Sequence, residues 1–72
     1  MKIQYFSDSD TLHIMLNDRP VAETRDLDEN TTLDQDSEGR IVALTLEHAS
    51  LRADLQSVSY QQLPAPTPTT TE

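Results

Sequence analysis

The chain has 72 residues, no cysteine, and thirteen acids against five bases, for a formal charge of −8. That length makes one small domain, and the missing cysteines exclude disulfides and thiolate metal sites. The charge opposes binding to nucleic acid or to an anionic membrane and suits a basic protein partner. A domain of this size buries only about 60% of its unfolded surface. Its core contributes a net stability of roughly 3–5 kcal/mol, so a homodimer is a natural expectation.

Period-2 alternation organises the first two thirds of the chain. Ile3 and Tyr5 alternate with Lys2, Gln4 and Phe6. Residues 7–10, Ser-Asp-Ser-Asp, form a polar turn. Leu12, Ile14 and Leu16 then alternate with Thr11, His13 and Met15, which predicts a hairpin of residues 2–6 and 11–16. A second turn follows at 17–20. Pro20 has no N–H for a ladder and belongs at a strand start or an edge. Residues 21–27 read as a charged edge strand, broken by Asp28, Glu29 and Asn30.

The clearest hairpin joins residues 31–35 to 40–46 through Asp36-Ser37-Glu38-Gly39. Gly39 is the chain's one glycine and suits a turn that needs positive φ. Val42, Leu44 and Leu46 make its inward face and alternate with Ile41, Ala43 and Thr45. The apolar Ile41 and Ala43, near Met15, offer a second face for a homodimer. The period then changes: Leu51, Leu55 and Val58 lie at helical spacing, with Ser50 as candidate N-cap. After Leu63 come alternating prolines and threonines.

The predicted fold is α+β: a small antiparallel meander of four to five strands with one C-terminal helix. The domain spans 1–63, and 64–72 is a disordered Pro/Thr tail. The predicted core is Leu12, Ile14, Leu16, Leu33, Val42, Leu44, Leu46, Leu51 and Leu55. Residues 1–20 lack the pattern of a secretory leader. The longest apolar run, 41–44, is far below the roughly 20 residues that span a bilayer. A cytoplasmic protein is expected.

Three segments, MKIQYFSDSDTLHIML, VAETRDLDE and LDQDSEGRIVALTLEHAS, together resemble the DUF2283 family of small prokaryotic domains. The resemblance rests on Tyr5, on Asp10-Thr11-Leu12-His13-Ile14, on Gly39-Arg40-Ile41-Val42 and on Ala49-Ser50, in that order. His13 stands where the family more often has tyrosine, and Gln35 where an apolar residue is usual. The match covers residues 1–51. It implies a small antiparallel sheet with a C-terminal helix, no chemistry, and an antitoxin-like role beside small RNase-like toxin proteins.

Function is read mainly from charge. Glu23, Asp26, Asp28, Glu29, Asp34, Asp36 and Glu38 crowd into one window with Arg25 as its only base, a formal −6 from seven acids and one base. These seven are the candidate residues for a basic partner. Asp34, Asp36 and Glu38, ahead of Gly39, also imitate the first half of a calcium loop. Thr45 stands where that loop needs its bidentate glutamate, and a solvated hairpin turn accounts for the same residues. His13 alternates with core residues and reads as a partly exposed strand histidine. Glu47, His48 and Ser50 lie within four residues, whereas a triad converges from separate elements. No catalytic residue and no cofactor is expected. The leading expectation is a non-enzymatic interaction module, followed by a cation-binding domain and then a small hydrolase.

Overall fold

A computed structural model describes residues 1–65. Its elements are β1 (Lys2–Phe6), β2 (Thr11–Met15), β3 (Glu23–Asp28), β4 (Thr31–Gln35), β5 (Ile41–Glu47) and α1 (Ala49–Arg52). All strand pairs are antiparallel, in the order β1-β2-β5-β4-β3. The alternation in the sequence therefore locates the strands, but the predicted meander is corrected. Residues 16–22 carry the chain across the sheet, and β5 returns to lie beside β2, a Greek-key arrangement. The composition explains the order. The apolar strands β2 and β5 take the middle, while β3, with the sequence ETRDLD, takes an edge where its charges stay solvated.

Cross-strand partners share a face, so the register defines two surfaces. One carries the rows Tyr5–Leu12–Leu46–Thr31 and Ile3–Ile14–Leu44–Leu33–Arg25. The other carries Gln4–His13–Thr45–Thr32–Asp26 and Lys2–Met15–Ala43–Asp34–Thr24. The first is the core face: Leu12, Leu33 and Val42 are buried, and Ile14, Leu44 and Leu46 are half-buried. Asp34 pairs with Ala43 but Gln35 pairs with Ile41, so Val42 is an extra residue in a bulge. Ala43, expected to face outward, is buried too, because its small side chain lies between Met15 and Asp34.

The C-terminal helix is shorter than the stripe Leu51-Leu55-Val58 predicted. It spans four residues, and Leu51 is 84% exposed rather than core. Val58 is exposed as well, and Leu55 is half-buried. Two local preferences end the helix. Ala53 is extended, and the Asp54 carboxylate accepts the Gln56 N–H at 3.1 Å, a turn that competes with helix. A lone helix of about ten residues is in any case marginal in water. Leu16, also expected inside, sits just past the end of β2 and is exposed. No large side chain among the described residues is fully buried, so the fold is one sheet with a thin covering. Pro64 and Ala65 are exposed and outside any element; the rest of the predicted disordered tail lies outside the described residues. No helix among the described residues is long and apolar enough to cross a membrane.

Candidate functional site

The acidic window divides into carboxylates bound by the fold and carboxylates left on the rim. Asp36 belongs to the first kind and is only 7% exposed. Its Oδ1 accepts the backbone N–H groups of Glu38 and Arg40, both at 2.9 Å, and its Oδ2 accepts Arg40 Nε–H at 3.1 Å. The Arg40 amide, then the Glu38 amide and the Arg40 guanidinium, hold its carboxyl below the ordinary value against an opposing desolvation. Gly39, at φ 81°, closes the same turn by donating its N–H to the Asp36 carbonyl at 3.1 Å. Asp36 is thus a turn-forming residue whose oxygens are occupied, rather than an outward ligand.

Its neighbours point elsewhere. Glu38 pairs with Arg40 at 2.9 Å on the solvent side, and Asp34 accepts the Thr24 hydroxyl at 2.8 Å on the polar sheet face. Among the described residues no three His, Cys, Asp or Glu side chains converge to hold a metal ion. Asp28 accepts the Asn30 N–H at 2.8 Å, which lowers its pKa first, with help from the Thr31 hydroxyl and Arg52. Glu23, Asp26 and Glu29 remain exposed, and among the described residues they make no side-chain hydrogen bond or ion pair. Within the acidic window, edge strand β3 and the turn after it therefore carry the acids with no side-chain partner.

At the opposite end of β5 lies a cluster that the charge pattern does not reveal. Asp10 sits in the left-handed region, φ 53°. Its Oδ1 accepts the Tyr5 hydroxyl at 2.7 Å and the Ser50 N–H at 3.0 Å; its Oδ2 accepts the Ser50 hydroxyl at 2.7 Å. Its carbonyl accepts the N–H of the fully buried Ala49 at 2.9 Å. The Ser50 hydroxyl first, then Tyr5, hold the Asp10 carboxyl low, and the hydrogen bond to Asp10 raises Tyr5. On the other side Arg52 donates to the Asn30 carbonyl at 2.7 Å and to the Thr31 hydroxyl at 2.6 Å. Helix α1 thus clasps two turns at once, residues 7–10 through Asp10 and residues 28–31 through Arg52.

Of Glu47, His48 and Ser50, the clasp engages the side chain of Ser50. The N-cap is His48, at φ 56° and with no side-chain cap, rather than Ser50, and the Ser50 hydroxyl donates to Asp10. His13 bonds Thr45 at 2.9 Å across the polar face. A cleft of about 420 Å³ opens beside the clasp, lined by Tyr5, Ser50, Ala53, Asp54, Leu55 and Gln56. Asp10 and Arg52 escaped the reading by charge because their partners lie 40 and 21–22 residues away. One signal did exist: Tyr5, Asp10, Ala49 and Ser50 are all residues on which the family resemblance rests.

The family model described as "Protein of unknown function (DUF2283)" matches residues 2–50, and the chain belongs to that family. No curated protein and no solved structure matches it. The matched segment runs from the first residue of β1 to Ser50, so it contains the whole sheet and the Asp10 half of the clasp.

Proposed function

We propose that this DUF2283 domain is a non-enzymatic, cytoplasmic interaction module that binds a small basic protein in an antitoxin-like way. One observation carries the reading: among the described residues Glu23, Asp26 and Glu29 have no side-chain partner, and they lie on edge strand β3, which pairs only with β4, and on the turn that follows it. An edge strand offers backbone groups for pairing, and its acids add long-range attraction for a basic partner. Asp28, Asp34 and Glu38 add to the same field from positions already engaged within the fold. Asp36 drops out of the candidate set as a contact residue. The cation reading loses support with it, since that reading needs Asp36 to turn outward with Asp34 and Glu38. The hydrolase reading loses support because the Ser50 hydroxyl donates to Asp10, whose carboxyl is held below its ordinary value and is therefore a weak base.

The test uses the basic protein encoded by a neighbouring reading frame, mixed with the purified full chain. Association is expected to be fast at low salt and to slow as salt rises, because charge steering is screened over about 10 Å at 0.1 M. Changing Glu23→Gln, Asp26→Asn and Glu29→Gln together is expected to slow association at least tenfold while the fold is retained. Binding indifferent to both salt and the triple change would overturn the reading.

A further inference from the structure

The two edges of the sheet are unlike. β3 has the features that keep an edge from pairing with copies of itself: acids, and a bulge between Asp26 and Asp28. β1 has neither. All five of its residues are exposed, its only charge is Lys2 at its start, and it carries Ile3 at 48%, Tyr5 at 42% and Phe6 at 46% exposure. It has β2 on one side and, among the described residues, no strand on the other.

We propose that β1 is a self-pairing edge, and that two copies of this chain join β1 to β1 antiparallel about Gln4. Three observations choose a second copy as the occupant. First, the strand is complementary to itself in that register. Ile3 of each copy falls opposite Tyr5 of the other on the core face, an aromatic–aliphatic pair. On the polar face Gln4 meets Gln4, and Lys2 falls opposite Phe6, a cation beside an aromatic ring. The register holds whichever alternate set of β1 backbone groups points outward, because it is symmetric about Gln4. Second, pairing extends the thin core. The row Leu33–Leu44–Ile14–Ile3 then continues across the join into Tyr5–Leu12–Leu46 of the second copy, where among the described residues no large side chain is fully buried. Third, the charges permit it. In a continuous ten-stranded sheet the two β3 edges lie nine strand spacings apart, roughly 43 Å at about 4.8 Å each. That is several screening lengths at physiological salt, so the two acidic edges do not oppose the join. The second face of β5, the sequence-based candidate for self-association, fits less well. Its Ala43 is buried, and its neighbours Asp34 and Thr45 are polar.

The experiment is a charge swap at the symmetry point. Gln4 is exposed on the sheet edge, so Gln4→Glu and Gln4→Lys leave the monomer fold intact. The wild-type chain is expected to show a dimer mass by sedimentation as concentration rises. Each variant alone places like charges opposite each other and is expected to weaken the dimer about two- to fivefold. An equal mixture of the two is expected to form the mixed dimer at wild-type strength or better. In the wild type, one alternate set of β1 amides should exchange slowly in concentrated samples and rapidly in dilute ones. A wild-type chain that stays monomeric at millimolar concentration would overturn the proposal. So would a dimer that is indifferent to the charge at position 4.

Discussion

The sheet is closed at its two ends by aspartates that do similar work over different distances. Asp36 binds within four residues of itself, to Glu38 and Arg40, and shapes one hairpin turn. Asp10 binds Tyr5 on one side and Ser50, forty residues on, on the other. The first is a local turn device of the kind acids and glycine form anywhere. The second is tertiary structure, since nothing but the assembled sheet brings Ser50 to Asp10. Charge alone does not distinguish them, and neither of them resembles the free acids of β3.

Replacing each aspartate by alanine should break the comparison most sharply. Asp10→Ala is expected to give a larger fall in melting temperature than Asp36→Ala or Gly39→Ala. It removes three side-chain hydrogen bonds and places alanine at φ 53°. Amide exchange at Ala49 and Ser50 should rise with it; unchanged protection there would show that α1 does not depend on Asp10. Asp36→Ala should lower the melting temperature less, with faster exchange confined to residues 36–40.

Titration separates the two ends further. Asp10 and Asp36 both have depressed folded pKa values, so their contribution is complete above the ordinary 3.8 and is lost as pH falls through the lower folded value. Tyr5 is raised, so its contribution holds below 10.0 and is lost as pH rises through the higher folded value. The clasp should therefore weaken at both extremes and the hairpin at the acid extreme alone. Tyr5→Phe should flatten the alkaline limb of a stability–pH curve and shrink the acid limb only in part, because Ser50 still holds the Asp10 carboxyl low.

Gly39→Ala is expected to cost about 1 kcal/mol from its positive φ. The new Cβ would meet nothing within 4 Å, so packing adds no cost. Denaturant melts measure this directly. The triple change Glu23→Gln, Asp26→Asn and Glu29→Gln should have the smallest effect, with a melting temperature indistinguishable from wild type. A clear loss would mean that these rim acids hold the fold as Asp10 and Asp36 do.

The same division explains what could be read from the sequence. Strand positions were legible because alternation is local, and the turn at 36–39 because acids and a glycine announce it. The placement of charged β3 at an edge was legible from composition. Strand order was not, because it depends on which strands pair, and β2 chose β5 over its neighbour in sequence. The helix was overestimated because the spacing of Leu51, Leu55 and Val58 carries no information about the Asp54 turn that ends it. Asp36 showed its charge but not its burial. The clasp was visible only as a series of residues shared with the family, with no hint that Tyr5, Asp10 and Ser50 touch.

The Greek-key strand order also sets a sequence of events in time. The β3–β4–β5 hairpins close short loops, whereas Ile14 must find Leu44 across thirty residues and Asp10 must find Ser50 across forty. Long loops close late and slow the search. The clasp should therefore form after the folding barrier has been crossed. Weakening it at Asp10 would then leave the refolding rate nearly unchanged and shorten the lifetime of the folded state.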